Sequence, residues 1–189
     1  MKSFKFVLFF FFIISCTEKY TTIDEYSKDS IKYVKTKITI STKDFSISIP
    51  KNWKWKEIKN ETKYDMLGII VKNVDTIPDY SKIMVFKKYK SFEKNTDLKT
   101  EYESLLKNNK ESNQPNKIVE CGKTNLLKYD AFFVHMVSQD EKPFEQILII
   151  IKSKEMGVFY SLNSACDLED NLKPSMSMML ECMRSFEYN

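Results

Sequence analysis

The chain has 189 residues, with 30 Lys and Arg interspersed among 26 Asp and Glu for a formal net charge of +4 at pH 7. That balance supplies no basic stripe for nucleic acid. With 3 Gly, all isolated (Gly68, Gly122, Gly157), and 1 His, the chain also excludes a glycine-rich phosphate loop and any metal site built on two histidines.

At the start of the chain, Lys2 and Lys5 lead into nine residues, 6–14, that carry no polar side chain, and the run stops at Ile13-Ile14-Ser15-Cys16. As a helix, nine residues rise only ~13.5 Å against a hydrocarbon core of ~30 Å, so the segment is a targeting element and not a membrane span. Its end resembles the lipobox of bacterial lipoproteins, in which a diacylglycerol is joined to the cysteine through a thioether and the leader is cut just before it. The resemblance implies that residues 1–15 are a signal peptide and that Cys16 is the lipid attachment site. It also implies a place in the bacterial cell envelope, outside the cytoplasm, on a membrane that the chain does not cross. Loss of Lys2 and Lys5 lowers the formal charge to +2.

Residues 16–32 are polar, mixed in charge and without a sustained apolar period, which predicts a tether behind the lipidated cysteine and a single globular domain over 33–189. Asp29-Ser30-Ile31 and Asp75-Thr76-Ile77 are similar to a short O-glycosylation motif of some bacterial envelope proteins. Ordinary solvated loop is the alternative.

Within the domain, Val34, Thr36, Ile38 and Ile40 alternate with polar neighbours, and the alternation resumes at Phe45, Ile47 and Ile49 before Pro50. This pattern predicts a hairpin. Residues 67–72 and 82–89 are β-rich runs separated by a turn around Pro78-Asp79. Leu98, Tyr102, Leu105 and Leu106 then fall at i, i+4, i+7 and i+8, one face of a helix whose other face carries Lys99, Glu103 and Lys107.

Four strands follow over 117–124, 131–138, 145–153 and 158–163, with connections short enough to make successive members antiparallel. Residues 148–151 are apolar on both alternating sets, which requires cover on both faces of the sheet. Part of that cover is a C-terminal helix carrying Leu172, Met176, Met179, Leu180 and Met183 on one stripe, with Pro174 in its first turn.

The hexapeptide Phe45-Ser46-Ile47-Ser48-Ile49-Pro50 followed by Trp53 resembles the opening of PsbP, Mog1 and DcrB-like domains. Phe159-Tyr160-Ser161-Leu162, a helix, and Ser185-Phe186 resemble their close, so the resemblance spans most of residues 36–187. It implies an α+β fold in which an antiparallel sheet of about six to seven strands is flanked by helices, a Mog1/PsbP-like α/β/α sandwich. Domains of this group generally serve as binding or accessory modules for larger protein assemblies.

Catalytic chemistry has little to draw on. His135, on an apolar strand, reads as a packed and hydrogen-bonded residue, and no catalytic residue is assigned. Adjacent acids such as Asp140-Glu141 and Glu169-Asp170 read as solvated turns. Cys121, Cys166 and Cys182 remain beside Cys16, an odd number that permits at most one internal bridge. Cys166 and Cys182 are the candidate disulfide pair, with buried thiols as the alternative. Met176, Met178, Met179 and Met183 with Cys182 have the softness for Cu(I), but their helical stripe favours core packing, and no metal or cofactor is assigned. Trp53 and Trp55 both read as core, with an exposed contact at one of them as the alternative.

The sequence thus predicts a lipid-anchored envelope lipoprotein that is not an enzyme and binds a protein partner as an accessory module. The alternatives are a small hydrolase using His135, or a carrier holding a lipid or other apolar ligand between sheet and helix.

Overall fold

The computed structural model describes residues 20–33, 37–58, 65–74, 77–91, 96–113, 115–139, 141–168 and 171–189; Cys16, Val34, Thr36, Asp75 and Thr76 lie outside them. Among the described residues the first element is α1 (Ile23–Tyr33), followed by β1 (Lys37–Ser41), β2 (Phe45–Pro50), β3 (Trp53–Glu57), β4 (Asp65–Val74) and β5 (Ile77–Lys90). Then come α2 (Leu98–Glu111), β6 (Lys117–Thr124), β7 (Ala131–Val137), β8 (Phe144–Lys152), β9 (Val158–Asp167), α3 (Leu172–Arg184) and β10 (Glu187–Tyr188).

Among the described residues the strands form two sheets. The larger has seven strands in the order β3-β4-β5-β9-β8-β7-β6, and its neighbours are all antiparallel. The predicted hairpin forms, pairing Ile38 with Ile49 and Ile40 with Ile47, but it belongs to a separate three-stranded sheet with β10. It turns Phe45, Ile47 and Ile49 inward onto the large sheet's core.

Strand β8 is interior to the sheet, which explains its two apolar faces. Ile147, Ile149 and Ile151 join the core beneath α3, while Leu148 and Ile150 face the side where Leu105 of α2 lies. Helix α3 presents Met176, Met179, Leu180 and Met183 to that core, all fully buried. The methionines therefore fill core space, as their spacing predicts. On the opposite face Tyr102 of α2 stacks on Phe132 of β7, ring centroids 4.6 Å apart.

Two sequence expectations need correction. The tether predicted over 16–32 holds α1 in its second half: Tyr26 is 1% exposed and the helix packs along α3. Its start is a reciprocal cap, in which Thr22 N–H donates to Glu25 at 2.8 Å and Glu25 N–H to the Thr22 hydroxyl at 3.2 Å. Asp29-Ser30-Ile31 is accordingly helix and not loop.

The turn expected at Pro78-Asp79 is strand. Pro78 pairs with Asn73 and Asp79 with Lys72, and an irregularity after Val71 takes up the extra residues. Residues 53–57, to which the sequence reading gave no element, form an edge strand, β3, and both tryptophans are core as expected. Trp53 is buried and Trp55 packs edge-on against Phe45 and Phe86, with exposed Lys54 and Lys56 on the other side of the strand.

Candidate functional site

His135 stands near the end of β7 with 0% exposure, and both ring nitrogens meet acids. Nε2 lies 2.7 Å from Glu145 Oε1 on the neighbouring β8, and Nδ1 lies 3.3 Å from Glu120 Oε1 on β6. From α1, the Tyr26 hydroxyl donates to the same Glu145 oxygen at 2.6 Å, and the Ile23 N–H donates to Glu120. The acids therefore bind strand to strand and sheet to helix.

Backbone irregularity makes this arrangement possible. Ile118 pairs with Met136, and the next pair is Glu120 with His135, so Val119 has no opposite number. Without that bulge Glu120 would point to the far face of the sheet. With it, the carboxylate comes round to the His135 side and meets the N-terminus of α1, whose unpaired N–H groups and dipole favour an anion. Burial first, and then the hydrogen bond and charge of Glu145, raise the Tyr26 pKa, so the phenol keeps its proton and acts as a donor.

A polar cavity of about 420 Å³ adjoins the network, lined by Asp24, Ser27, Glu120, Lys123, Thr124 and Arg184 among others. Glu120 and Ile23 border it, whereas the His135 ring, Glu145 and Tyr26 are not on its wall. Arg184 is held by Glu181 at 3.1 Å and by Ser27, and Lys123 by Asp130 at 2.8 Å. The cavity's cations are thus already paired with groups of the protein.

A second cavity, also about 420 Å³, lies on the opposite face between Leu105 of α2 and strands β4, β5, β8 and β9. Its lining joins Met66, Val85, Leu148 and Ile150 with Lys87, Tyr89, Ser161 and Asn163.

The other residues singled out by sequence fall elsewhere. Cys166 and Cys182 are buried and not joined by a disulfide, and Cys121 is exposed on β6. Burial pushes the Cys166 thiol up to about 11. Among the described residues no group of three or more His, Cys, Asp and Glu side chains could hold a metal, and no helix is long and apolar enough to cross a membrane.

Sequence reading placed His135 correctly as packed and hydrogen-bonded but missed its partners Tyr26, Glu120 and Glu145. A signal for Tyr26 was present, since Thr22-x-x-Glu25 is a capping box and Ile23 and Tyr26 follow at helical spacing. Glu120 carried no such signal, because a bulge decides its face.

No family model matches the chain, and no curated protein matches it in sequence. Solved structures do. Cyanobacterial PsbP (CyanoP) of Synechocystis sp. PCC 6803 is similar with a TM-score of 0.53 at 8% identity, over 82% of this chain and 92% of its own. LpqN of Mycobacterium tuberculosis, involved in cell envelope biogenesis, gives 0.52 at 14% identity, over 89% and 97%. The Ran-binding protein Mog1p of Saccharomyces cerevisiae gives 0.52 at 9% identity, over 80% and 95%. At such identities the likeness is one of fold: an antiparallel sheet with helices on both faces, the PsbP/Mog1-like α+β architecture that the sequence resemblance implied.

Proposed function

We propose that the chain is a membrane-anchored envelope lipoprotein that acts without catalysis, as a binding or accessory module for a protein partner. The observation that carries the non-catalytic reading is the enclosure of His135, the chain's single histidine, with both ring nitrogens bonded to acids that hold α1 on the sheet. A general base must reach a substrate proton within about 3 Å or through one water, and this ring is on the wall of neither cavity described above. The hydrolase alternative would require α1 to leave the sheet. Among proteins of the same fold, Mog1p binds Ran and LpqN is involved in envelope biogenesis, which supports a protein-binding role in the envelope.

The anchoring reading is supported by the apolar run ending at Ser15-Cys16. Tyr20 is already held by the domain, since Lys117 lies over its ring at 4.6 Å and donates to its hydroxyl at 3.2 Å. Four residues of chain reach at most about 14 Å, so a lipid on Cys16 would keep the start of β6 close to the headgroups. The protein would be held near the surface, with far less reach than a tether of 16–32 would allow.

Intact mass of the protein purified from membranes tests the anchor: residues 1–15 should be absent and acyl mass present on Cys16, and Cys16→Ser should release the protein. An unmodified Cys16 would overturn the anchored reading. Cross-linking in cells, with Cys16→Ser as the control, then tests the module reading. A protein should be captured by the anchored form, and hydrolytic activity that vanishes in a folded His135→Gln variant would replace that reading by the enzyme.

A further inference from the structure

The face of the large sheet that carries α2 is only half covered. Helix α2 packs on β7 and β8, leaving β3, β4, β5 and β9 without a helix on that side among the described residues. Residues opposite one another in antiparallel strands share a face, so the register lays out what the bare half presents. One row runs Lys56, Ile69, Val85, Asn163 and Leu148. The next runs Met66, Lys87, Ser161, Ile150 and Phe132, the last being the ring on which Tyr102 of α2 stacks.

In these rows Met66, Ile69 and Val85 are half-buried, whereas Lys56 and Lys87 are exposed, as is Lys54 on the same side of β3. No Asp or Glu stands in either row. Lysines on an edge strand guard it against pairing, which accounts for Lys54 and Lys56. Lys87 lies two strands further in, where no edge needs guarding, and neither it nor Lys54 forms an ion pair among the described residues. The bare strip also has a definite width. Four strands at ~4.8 Å spacing span about 14 Å, room for one helix of about 10–12 Å beside α2, and helices are what cover a sheet face in a layered fold.

We propose that this strip is the docking surface for one acidic amphipathic helix of a protein partner, its apolar stripe seated on Ile69 and Val85 and its carboxylates turned to Lys54, Lys56 and Lys87. That helix completes the layer which α2 begins. The proposal rests on the protein-binding reading above, and gives the partner a surface and a charge.

Benzophenone cross-linking in cells tests it, with p-benzoylphenylalanine placed in the full chain at Val85 and, separately, at Lys107 and Asn125, both exposed and off the strip. Irradiation should join position 85 to a protein, through a peptide that carries an apolar stripe at helical spacing with Asp and Glu beside it. Lys54→Glu combined with Lys87→Glu should lower that adduct about tenfold, and Lys54→Arg combined with Lys87→Arg should keep it. Lys87→Gln serves in place of the charge reversal if the double variant does not fold. A position-85 adduct with lipid, one with a peptide that is not acidic, or one indifferent to a folded charge variant would each overturn the proposal. Capture of a protein only from positions 107 or 125 would overturn it too while leaving the protein-binding reading standing, and capture from none of the three would overturn both.

Discussion

Tyr26 and His135 share a single oxygen: the phenol donates to Glu145 Oε1 at 2.6 Å, and His135 Nε2 lies 2.7 Å from the same atom. One residue comes from the helix and the other from the sheet, with their rings edge to face at 6.2 Å. A buried acid serving both converts a polar contact into the joint between α1 and the rest of the domain.

Removing either donor leaves Glu145 underserved in a place that water does not reach. Tyr26→Phe should therefore destabilise the fold by about 1–3 kcal/mol, and His135→Gln, which loses bonds to two acids, by a similar amount. Hydrogen exchange in the Tyr26→Phe variant should show α1 opening ahead of the sheet. If exchange rises uniformly instead, the joint is not where α1 is held.

The core assignments make a sharper demand. Ile149 and Leu180 are fully buried in one cluster, on β8 and α3. Ile149→Ala and Leu180→Ala should each cost about 2–5 kcal/mol. A denaturant midpoint unchanged in both variants would refute the packing of α3 on β8.

Gly68 makes room for a tryptophan. A Cβ at this position on β4 would meet the Trp55 ring and lie 2.5 Å from the Lys56 carbonyl oxygen. Since backbone and a packed ring cannot both retreat, Gly68→Ala should destabilise by about 1–3 kcal/mol and shift Trp55 fluorescence. In a Trp55→Leu background that penalty should shrink, though not vanish, as the carbonyl contact remains.

Alkali should unfold this protein earlier than its charge suggests. Burial raises Cys166 from an ordinary 9.0 to about 11, and burial foremost raises Tyr26 and Tyr160 as well. These groups are neutral when protonated, so their stabilising effect is whole below the unfolded-chain pKa and is lost as pH rises through and beyond it. The denaturant midpoint should fall from about pH 9 toward pH 11, and less steeply in Cys166→Ala. Under native conditions thiol reagents should modify Cys121 alone among the three, with Cys166 and Cys182 reacting only on unfolding.

Periodicity made much of this legible. Alternation placed β2, apolar runs between short connections placed β7, β8 and β9, and a methionine and leucine stripe placed α3, because burial writes itself into residue spacing. Elements whose stability comes from a few specific bonds were not read in this way. Helix α1 has a polar composition and is held by Tyr26, Ile23 and their acid partners, so its mean character is that of a tether. The acid side of the site depended on where a strand bulges, and the bulge before Glu120 leaves no periodic trace. Burial of Tyr89 and Asn163 in a cleft could not be read at all, since it depends on which part of the sheet α2 leaves bare.

The strand order has a consequence for how the chain reaches this state. Strands β3 to β5 and β6 to β9 are two meanders, each wound from neighbours in sequence, and the large sheet joins them along the single seam of β5 and β9. Val85 must find Asn163 across the whole of the second meander, so loop entropy puts the closing of the seam late in folding. Until it closes, β5 and β9 both expose an unpaired edge. During that interval a second nascent copy competes with the chain's own other half, and the rate of that one closure sets how much protein escapes mispairing.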